Sequence, residues 1–310
     1  MVDWSLSRNR RDDDEQGVAL GQRSGYRPIE MSSPRTFLVT GCASGIGRSL
    51  ARRLHQLGHS LLATDVNEAG LGGAAEADGW ANSERAIART LDVRDPRAWR
   101  EVVAETVDRW GRLDVLVNVA GVLVTNWAHD ATDAQVEQII DINTKGVMHG
   151  TNAALRVMVP QRSGHVVNVA SIAGVIPVPG LALYSASKHA VRAYSIAVAQ
   201  EVRRHGLFVT AVCPTVVRTP MMDIQIDREE AALTFSGRRP LEPDEVTSAI
   251  VNRALVRKPL ELLVDAPGSW QGLAAKIGNA APRLALWLGE RVARTGRDQQ
   301  ARLARNGKGA

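Results

Sequence analysis

The chain has 310 residues, 45% of them hydrophobic and 23% charged, two cysteines and a formal net charge of +5. Apolar and charged content are those of a globular protein, long enough for one large domain or two small ones. Cys42 and Cys213 lie far apart and outside any CxxC or CxxH context, which argues against a disulfide framework and a zinc site, and no metal is expected. No run of 18 or more apolar residues occurs, so no membrane-spanning helix is expected. The start, "MVDWSLSRNRRDDDEQG", lacks the apolar core of a signal peptide, and a reducing cytoplasm is the expected setting.

The charge is uneven. Residues 282–310 hold Arg283, Arg291, Arg294, Arg297, Arg302, Arg305 and Lys308 against Glu290 and Asp298, which accounts for the whole +5. A solvated tail explains this, and so does attraction to an acidic surface such as anionic lipid or nucleic acid. Aromatic interleaving in the tail stops at Trp287, so no sequence-specific nucleic-acid partner is expected.

Residues 1–34 mix Arg, Asp, Ser and Gly without periodicity and read as a flexible extension. Order begins at "RTFLVTG", where Phe37, Leu38 and Val39 form a short buried strand ending in a glycine-rich turn. In "GIGRSLARRLHQLG" the residues Ile46, Leu50, Leu54 and Leu57 recur at helical spacing, and Gly58 stops the helix. "HSLLATD" is a second strand and "RAIARTLDV" a third. "DPRAWREVVAETVDRWG" is an amphipathic helix with Pro96 in its first turn and Trp99, Val102, Val103, Val107 and Trp110 on its apolar side. "LDVLVNVAG", apolar nearly throughout, suits a parallel strand covered on both faces.

The alternation continues with a long helix in "DAQVEQIIDINTKGVMHGTNAALRVMV", a strand in "GHVVNVAS", a helix in "ALYSASKHAVRAYSIAVAQEVRRHG" and a strand in "LFVTAVCP". "EPDEVTSAIVNRALVRK" is a further helix and "LELLVD" a seventh strand. Strands alternating with helices predict an α/β domain over 35–265, a doubly wound parallel sheet of about seven strands with helices on both faces. Residues 266–310 form a helical, basic C-terminal extension.

The first turn, "TGCASGIG", follows a strand and opens a helix, as a dinucleotide-binding turn must. Gly41 permits the tight turn, Gly45 the approach of a pyrophosphate to the helix N-terminus, and Gly47 close packing of helix on sheet. A purely structural turn can show the same glycine spacing. Asp65 ends the second strand, eighteen residues after Gly47. A carboxylate there can accept from adenosine ribose hydroxyls and repel a 2′-phosphate, which favours NAD over NADP; a helix N-cap is the plainer role. Tyr184 and Lys188 are one helical turn apart on one face, and Ser171 lies thirteen residues upstream of the tyrosine.

In that order, "TGCASGIG", the "LDV" ending in Val93, "NVAG" at 118–121, "DINTKG", Ser171, "YSASK" and "CPTVVRTP" make the chain resemble a short-chain dehydrogenase/reductase, from Thr36 to about Asp265. The resemblance implies a Rossmann-type fold and a nicotinamide cofactor. It implies that Asp92 contacts the adenine, that Val93 packs on it, and that Asn118, Ala120 and Gly121 line the adenosine side and brace the central strand. Asn143 bends its helix and holds a water; Ser171, Tyr184 and Lys188 complete the catalytic set. Ser44, Ile46, Pro214 and Val217 join the cofactor side, and Thr219 touches the nicotinamide carboxamide. The family often has a second asparagine where Val119 stands, and usually glycine where Thr215 stands. Relatives are mostly homodimers or homotetramers.

A free tyrosine titrates near 10, too high for a general base at neutral pH, and a neighbouring ammonium lowers that value. Lys188, together with the positive nicotinamide of the oxidised cofactor, therefore makes Tyr184 the acid/base of hydride transfer between an alcohol and a ketone. Segments expected to face the substrate carry Val122, Leu123, Val175, Ile176, Val178, Leu181, Met221, Met222 and Ile224, which suggests a lipophilic secondary alcohol or ketone. A cofactor-binding sensor without catalysis is the alternative, as is a membrane-surface protein. From Pro282, Leu284, Trp287, Leu288 and Val292 form an apolar stripe with arginines around it. That helix, over 282–297, is expected to cover the substrate entrance, with weak contact to anionic membranes.

Overall fold

The computed structural model describes residues 33–269, 272, 277 and 294–305, all within one compact unit spanning Met31–Ala310. The N-terminal extension up to residue 32, and the stripe from Leu284 to Val292, lie outside the described residues.

Seven strands form one parallel sheet: β1 (Thr36–Thr40), β2 (Ser60–Asp65), β3 (Ala86–Thr90), β4 (Val115–Asn118), β5 (Gly164–Val169), β6 (Leu207–Pro214) and β7 (Glu261–Val264). Their order is β3-β2-β1-β4-β5-β6-β7. The order reverses between β1 and β4, and a crevice opens at the carboxyl ends of strands at such a switch point. Register follows side-chain alternation. Phe37 and Val39 of β1, Leu61 and Ala63 of β2, and Val115 and Val117 of β4 enter one core; Leu38, Leu62 and Leu116 enter the other.

The first core is covered by α1 (Gly45–Gln56), α2 (Glu68–Ala77) and α8 (Pro243–Ala249), the second by α3 (Pro96–Trp110), α5 (Gly146–Gln161) and α6 (Ala182–Val202). Helix α2 had no counterpart in the sequence reading. Its glycine-rich "EAGLGGAAEA" offers only Leu71, Ala74 and Ala75 to the core, too weak a stripe to stand out. Leu57, read as part of the apolar face of α1, is 40% exposed at the helix C-cap, and Gly58 takes φ +81° to stop it.

The long helix after β4 is interrupted. Between α4 (Asp133–Ile140) and α5 lies a π-helical turn, Asp141–Lys145, which contains Asn143. The expected local irregularity is thus a one-turn widening, a feature that recurs at functional sites. After β6 come the short α7 (Pro220–Ile226) and a 3₁₀ helix, Glu229–Ser236. A further helix at 294–305 packs back on that segment. Among the described residues, no helix is long and apolar enough to cross a membrane, and no His/Cys/Asp/Glu cluster could hold a metal.

Candidate active site

A cavity of about 2050 Å³ occupies the switch point. Gly41, Ser44, Gly45, Ile46 and Gly47 form one wall, where β1 turns into α1. Gly41 and Gly45 both have positive φ, and a Cβ on Gly47 would lie 2.0 Å from the Gly41 carbonyl oxygen. Only glycine closes this turn. Ser44 makes no side-chain cap, so the amides of the first turn of α1 receive none from it. These donors at a helix N-terminus fit a pyrophosphate.

Asp65 lines the same cavity. Its two carboxylate oxygens accept from the backbone amides of Ala43 and Asn67, each at 2.9 Å. The acidic residue therefore also fixes the glycine turn. Arg48, the nearby cation that could have neutralised it, pairs instead with Asp78 at 2.8 Å. Asp92 and Val93 line the cavity too, but the Asp92 carboxylate is bound by Arg94, which holds it below the usual carboxylate range. Ala120, Gly121, Pro214, Val217 and Thr219 complete the expected cofactor wall, joined by Thr215. The Thr215 amide bonds to Val264 of β7, which ties that departure from the glycine pattern into the sheet.

Asn118 meets the bracing part of its expectation and not the lining part. It does not line the cavity; its amide points into the core and donates to Asn168 Oδ1 at 2.8 Å, bracing β4 against β5. Asn143 is likewise outside the lining. It clasps Val122 twice, accepting from the amide at 2.8 Å and donating to the carbonyl at 2.9 Å, and it donates to Ser187 Oγ at 3.1 Å. A Cβ on Gly121 would lie 3.1 Å from Asn143 Oδ1 and 3.5 Å from Lys188 Nζ, so the three residues converge.

Ser171 follows β5, while Tyr184 and Lys188 stand in the first two turns of α6; all three line the cavity. Lys188 Nζ donates to the Val169 carbonyl at 2.9 Å. Burial pushes the Tyr184 phenol up to about 12, although a hydrogen bond with Ser171 pulls the other way. Burial pushes the Lys188 ammonium down to about 8. The sequence argument expected Lys188 and the positive nicotinamide together to lower the phenol; the protein's own groups raise it. Neighbouring charge was visible along the chain, but desolvation was not, and among the protein's own groups desolvation is the largest influence.

Eight of the nine apolar residues expected at the substrate side line the cavity: Val122, Leu123, Ile176, Val178, Leu181, Met221, Met222 and Ile224. Val175 does not; it is buried with Val191 and Cys213 in a separate cluster. Sequence reasoning missed Gln225, Thr234 and Arg238, and Thr295 and Gln299 from the 294–305 helix, which also reach the wall. No motif marks them. Both cysteines are free and buried, and their thiols are pushed up by desolvation.

Residues 35–230 match the family model described as short chain dehydrogenase. Among curated proteins, cyclopentanol dehydrogenase from a Comamonas species is 34% identical over 221 residues, 70% of this chain and 88% of the relative. The NADP-dependent 3-hydroxy acid dehydrogenase of Salmonella typhi is 34% identical over 217 residues, covering 69% and 86%. Among solved structures, that of levodione reductase superposes with a TM-score of 0.70 at 28% identity, over 77% of this chain and 98% of that one.

Proposed function

Because the chain belongs to the short-chain dehydrogenase family and is an oxidoreductase of alcohols and ketones, we propose that it interconverts a lipophilic secondary alcohol and its ketone, with NAD preferred over NADP. The observation that carries the reading is the meeting of Tyr184, Lys188 and Ser171 on the wall of a cavity whose other wall is the glycine turn. When bound, the nicotinamide supplies the hydride acceptor or donor.

The chain's own residues then divide the rest of the chemistry. Ser171 Oγ hydrogen-bonds the substrate oxygen. In oxidation, Tyr184 as the phenolate takes the hydroxyl proton while hydride leaves the carbon that bears the hydroxyl; in reduction, the Tyr184 phenol gives its proton to the carbonyl oxygen. With its phenol raised to about 12, Tyr184 rests protonated and ready for the reductive direction. Lys188 favours the phenolate by its charge, and Asn143 fixes Val122 on the substrate side through two hydrogen bonds. The apolar wall from Val122 to Ile224 excludes water and suits an apolar substrate body.

NAD preference is supported by Asp65, whose charge faces the site and is not paired with Arg48. A relative is named for NADP dependence, so membership of the family does not by itself set the preference. The reading makes this a cytoplasmic enzyme, assembled as a homodimer or homotetramer through the helices that carry Asn143 and Tyr184. Steady-state assays of cyclic, acyl and steroid ketones with NADH and NADPH test it. Turnover of apolar ketones with NADH is the expected result; binding of NADH without turnover of any ketone would favour the sensor reading. Sedimentation measures the assembly.

A further inference from the structure

Five charged side chains line the cavity: Asp65, Asp92, Arg94, Lys188 and Arg238. Four of them have partners within the protein. Asp65 accepts from two backbone amides, Arg94 pairs with Asp92 at 2.6 Å, and Lys188 donates to the Val169 carbonyl. Arg238 is exposed, and among the described residues no carboxylate pairs with it. Arg239, next in the chain, pairs with Glu245, and Arg218 pairs with Glu242. An unpaired cation on the wall of a largely apolar cavity is suited to an anionic group of a ligand.

The guanidinium itself, and not only the backbone of Arg238, lies at the wall. Its Nη1 donates to the Pro267 carbonyl at 3.3 Å, and a Cβ on Gly268, a lining residue, would lie 2.6 Å from that nitrogen. Nε and Nη2 make no hydrogen bond to a described residue. The segment that carries the arginine is held in place. Gln299, with its amide nitrogen turned to the acceptors, donates to the carbonyls of Phe235 at 3.0 Å and Gly237 at 2.5 Å, and Leu241 forms a bridge with Val217. Topology sets the end of the cavity at which Arg238 stands. In the order β3-β2-β1-β4-β5-β6-β7, Asp92 and Asp65 belong to the ends of β3 and β2, Ser171 follows β5, and Pro267, which Arg238 binds, follows β7. Arg238 therefore lies on the far side of Ser171 from the end expected to hold adenosine. Two strand spacings, about 10 Å, separate the ends of β5 and β7.

We propose that Arg238 is a specificity residue that binds a carboxylate carried by the substrate at the end remote from the reacting carbon. Nε and Nη2 present the parallel pair of donors that a carboxylate accepts, while the apolar wall holds the body of the molecule. A single cation balances the one charge of a carboxylate and would leave a doubly charged phosphate half balanced. The inference rests on the dehydrogenase reading and narrows its substrate class to lipophilic hydroxy acids and keto acids.

The test is calorimetric titration of NADH-loaded enzyme, in which an alcohol cannot turn over, with the (ω−1)-hydroxy acids from hexanoic to dodecanoic and their methyl esters. One acid of the series should bind wild type about tenfold more tightly than its ester, a factor within reach of charge-assisted hydrogen bonds. Arg238→Gln should bring that ratio close to one and leave ester and NADH binding unchanged. Arg238→Lys keeps the charge and should hold a clear preference for the acid. An acid preference absent from wild type, unchanged in the glutamine variant or abolished in the lysine variant overturns the site. So does a fall in NADH affinity with the acid preference intact, which would assign Arg238 to the cofactor. Preferential acid binding by an enzyme that oxidises no secondary alcohol with NAD or NADP would overturn the dehydrogenase reading and leave the site standing. Turnover of neutral ketones with no acid preference would do the reverse.

Discussion

Lys188 Nζ lies 5.6 Å from the centroid of the Tyr184 ring and gives its hydrogen bond to the Val169 carbonyl. The lysine therefore reaches the tyrosine across its ring and not through a hydrogen bond to its hydroxyl. Both groups are buried, and burial moves them in opposite directions, the phenol up to about 12 and the ammonium down to about 8. At neutral pH the pair rests as phenol and ammonium, and in the proposed mechanism proton transfer through Tyr184 is the step that a phenylalanine cannot perform. Tyr184→Phe should lower kcat for ketone reduction by about a thousandfold or more, with NADH binding retained. Steady-state rates and NADH fluorescence on the same sample check this. Wild-type turnover in the variant would remove Tyr184 from the chemistry.

Lys188 carries a stability cost with a defined pH window. Its pKa falls from 10.5 unfolded to about 8 folded, so between those values the unfolded chain binds more protons than the folded one. Stability then rises with pH across that window, and the full cost, on the order of 3 kcal/mol, applies below it. Lys188→Met should be inactive yet more stable than wild type at neutral pH, and the advantage should shrink as pH passes from 8 towards 10.5. Urea unfolding at several pH values measures the difference. A variant less stable than wild type throughout would show that the Val169 hydrogen bond outweighs desolvation.

Asp65 both anchors the Ala43 amide and presents charge to the cavity. Asp65→Asn keeps an acceptor oxygen and removes the charge. Wild type should favour NADH over NADPH in kcat/KM, and the asparagine variant should lose roughly tenfold or more of that ratio through a better NADPH value. A wild-type preference for NADPH would reverse the cofactor assignment.

His165 is buried on β5, bonded through Nε2 to Thr210 Oγ1 at 2.9 Å, with Nδ1 unpartnered. Desolvation pushes it down to about 3, from 6.5 when exposed. The unfolded state binds the extra proton between those values, so this contribution is fully present above 6.5 and is lost as pH falls towards 3. The loss is on the order of 5 kcal/mol. Replacing the imidazole by a non-titrating amide in His165→Gln should flatten the acid limb of a stability-against-pH curve, whatever it does to stability at neutral pH. Parallel acid limbs in the two proteins would refute the assignment.

The two carbonyls that Gln300 satisfies link the 294–305 helix to the segment at the cavity wall. Gln300→Ala should raise amide hydrogen exchange across residues 222–237 and leave that of β1 and α1 unchanged. Exchange unchanged in 222–237 would mean that the helix rests on the wall without holding it. For the stripe from Leu284 to Val292, sedimentation with anionic liposomes, comparing the full chain with one ending at Pro267, tests membrane contact. Equal, negligible binding removes that role.

What the amino-acid order determined alone were the features set by local geometry. Strand alternation, the glycines at 41, 45 and 47, and the one-turn spacing of Tyr184 and Lys188 follow from fixed backbone periods, and each was readable at its own place in the chain. Asp65 was readable because it ends a strand. Helix α2 was not, since a helix of small residues carries almost no apolar pattern. Tertiary structure alone decided what depends on distant segments meeting. It turned Asn118 into the core against Asn168, gave Asn143 to Val122, and brought Thr295 and Gln299 to a cavity that begins at Thr40. It also set the direction of the Tyr184 shift, because desolvation is a property of everything packed around the phenol, and sequence spacing reports only its neighbours along the helix.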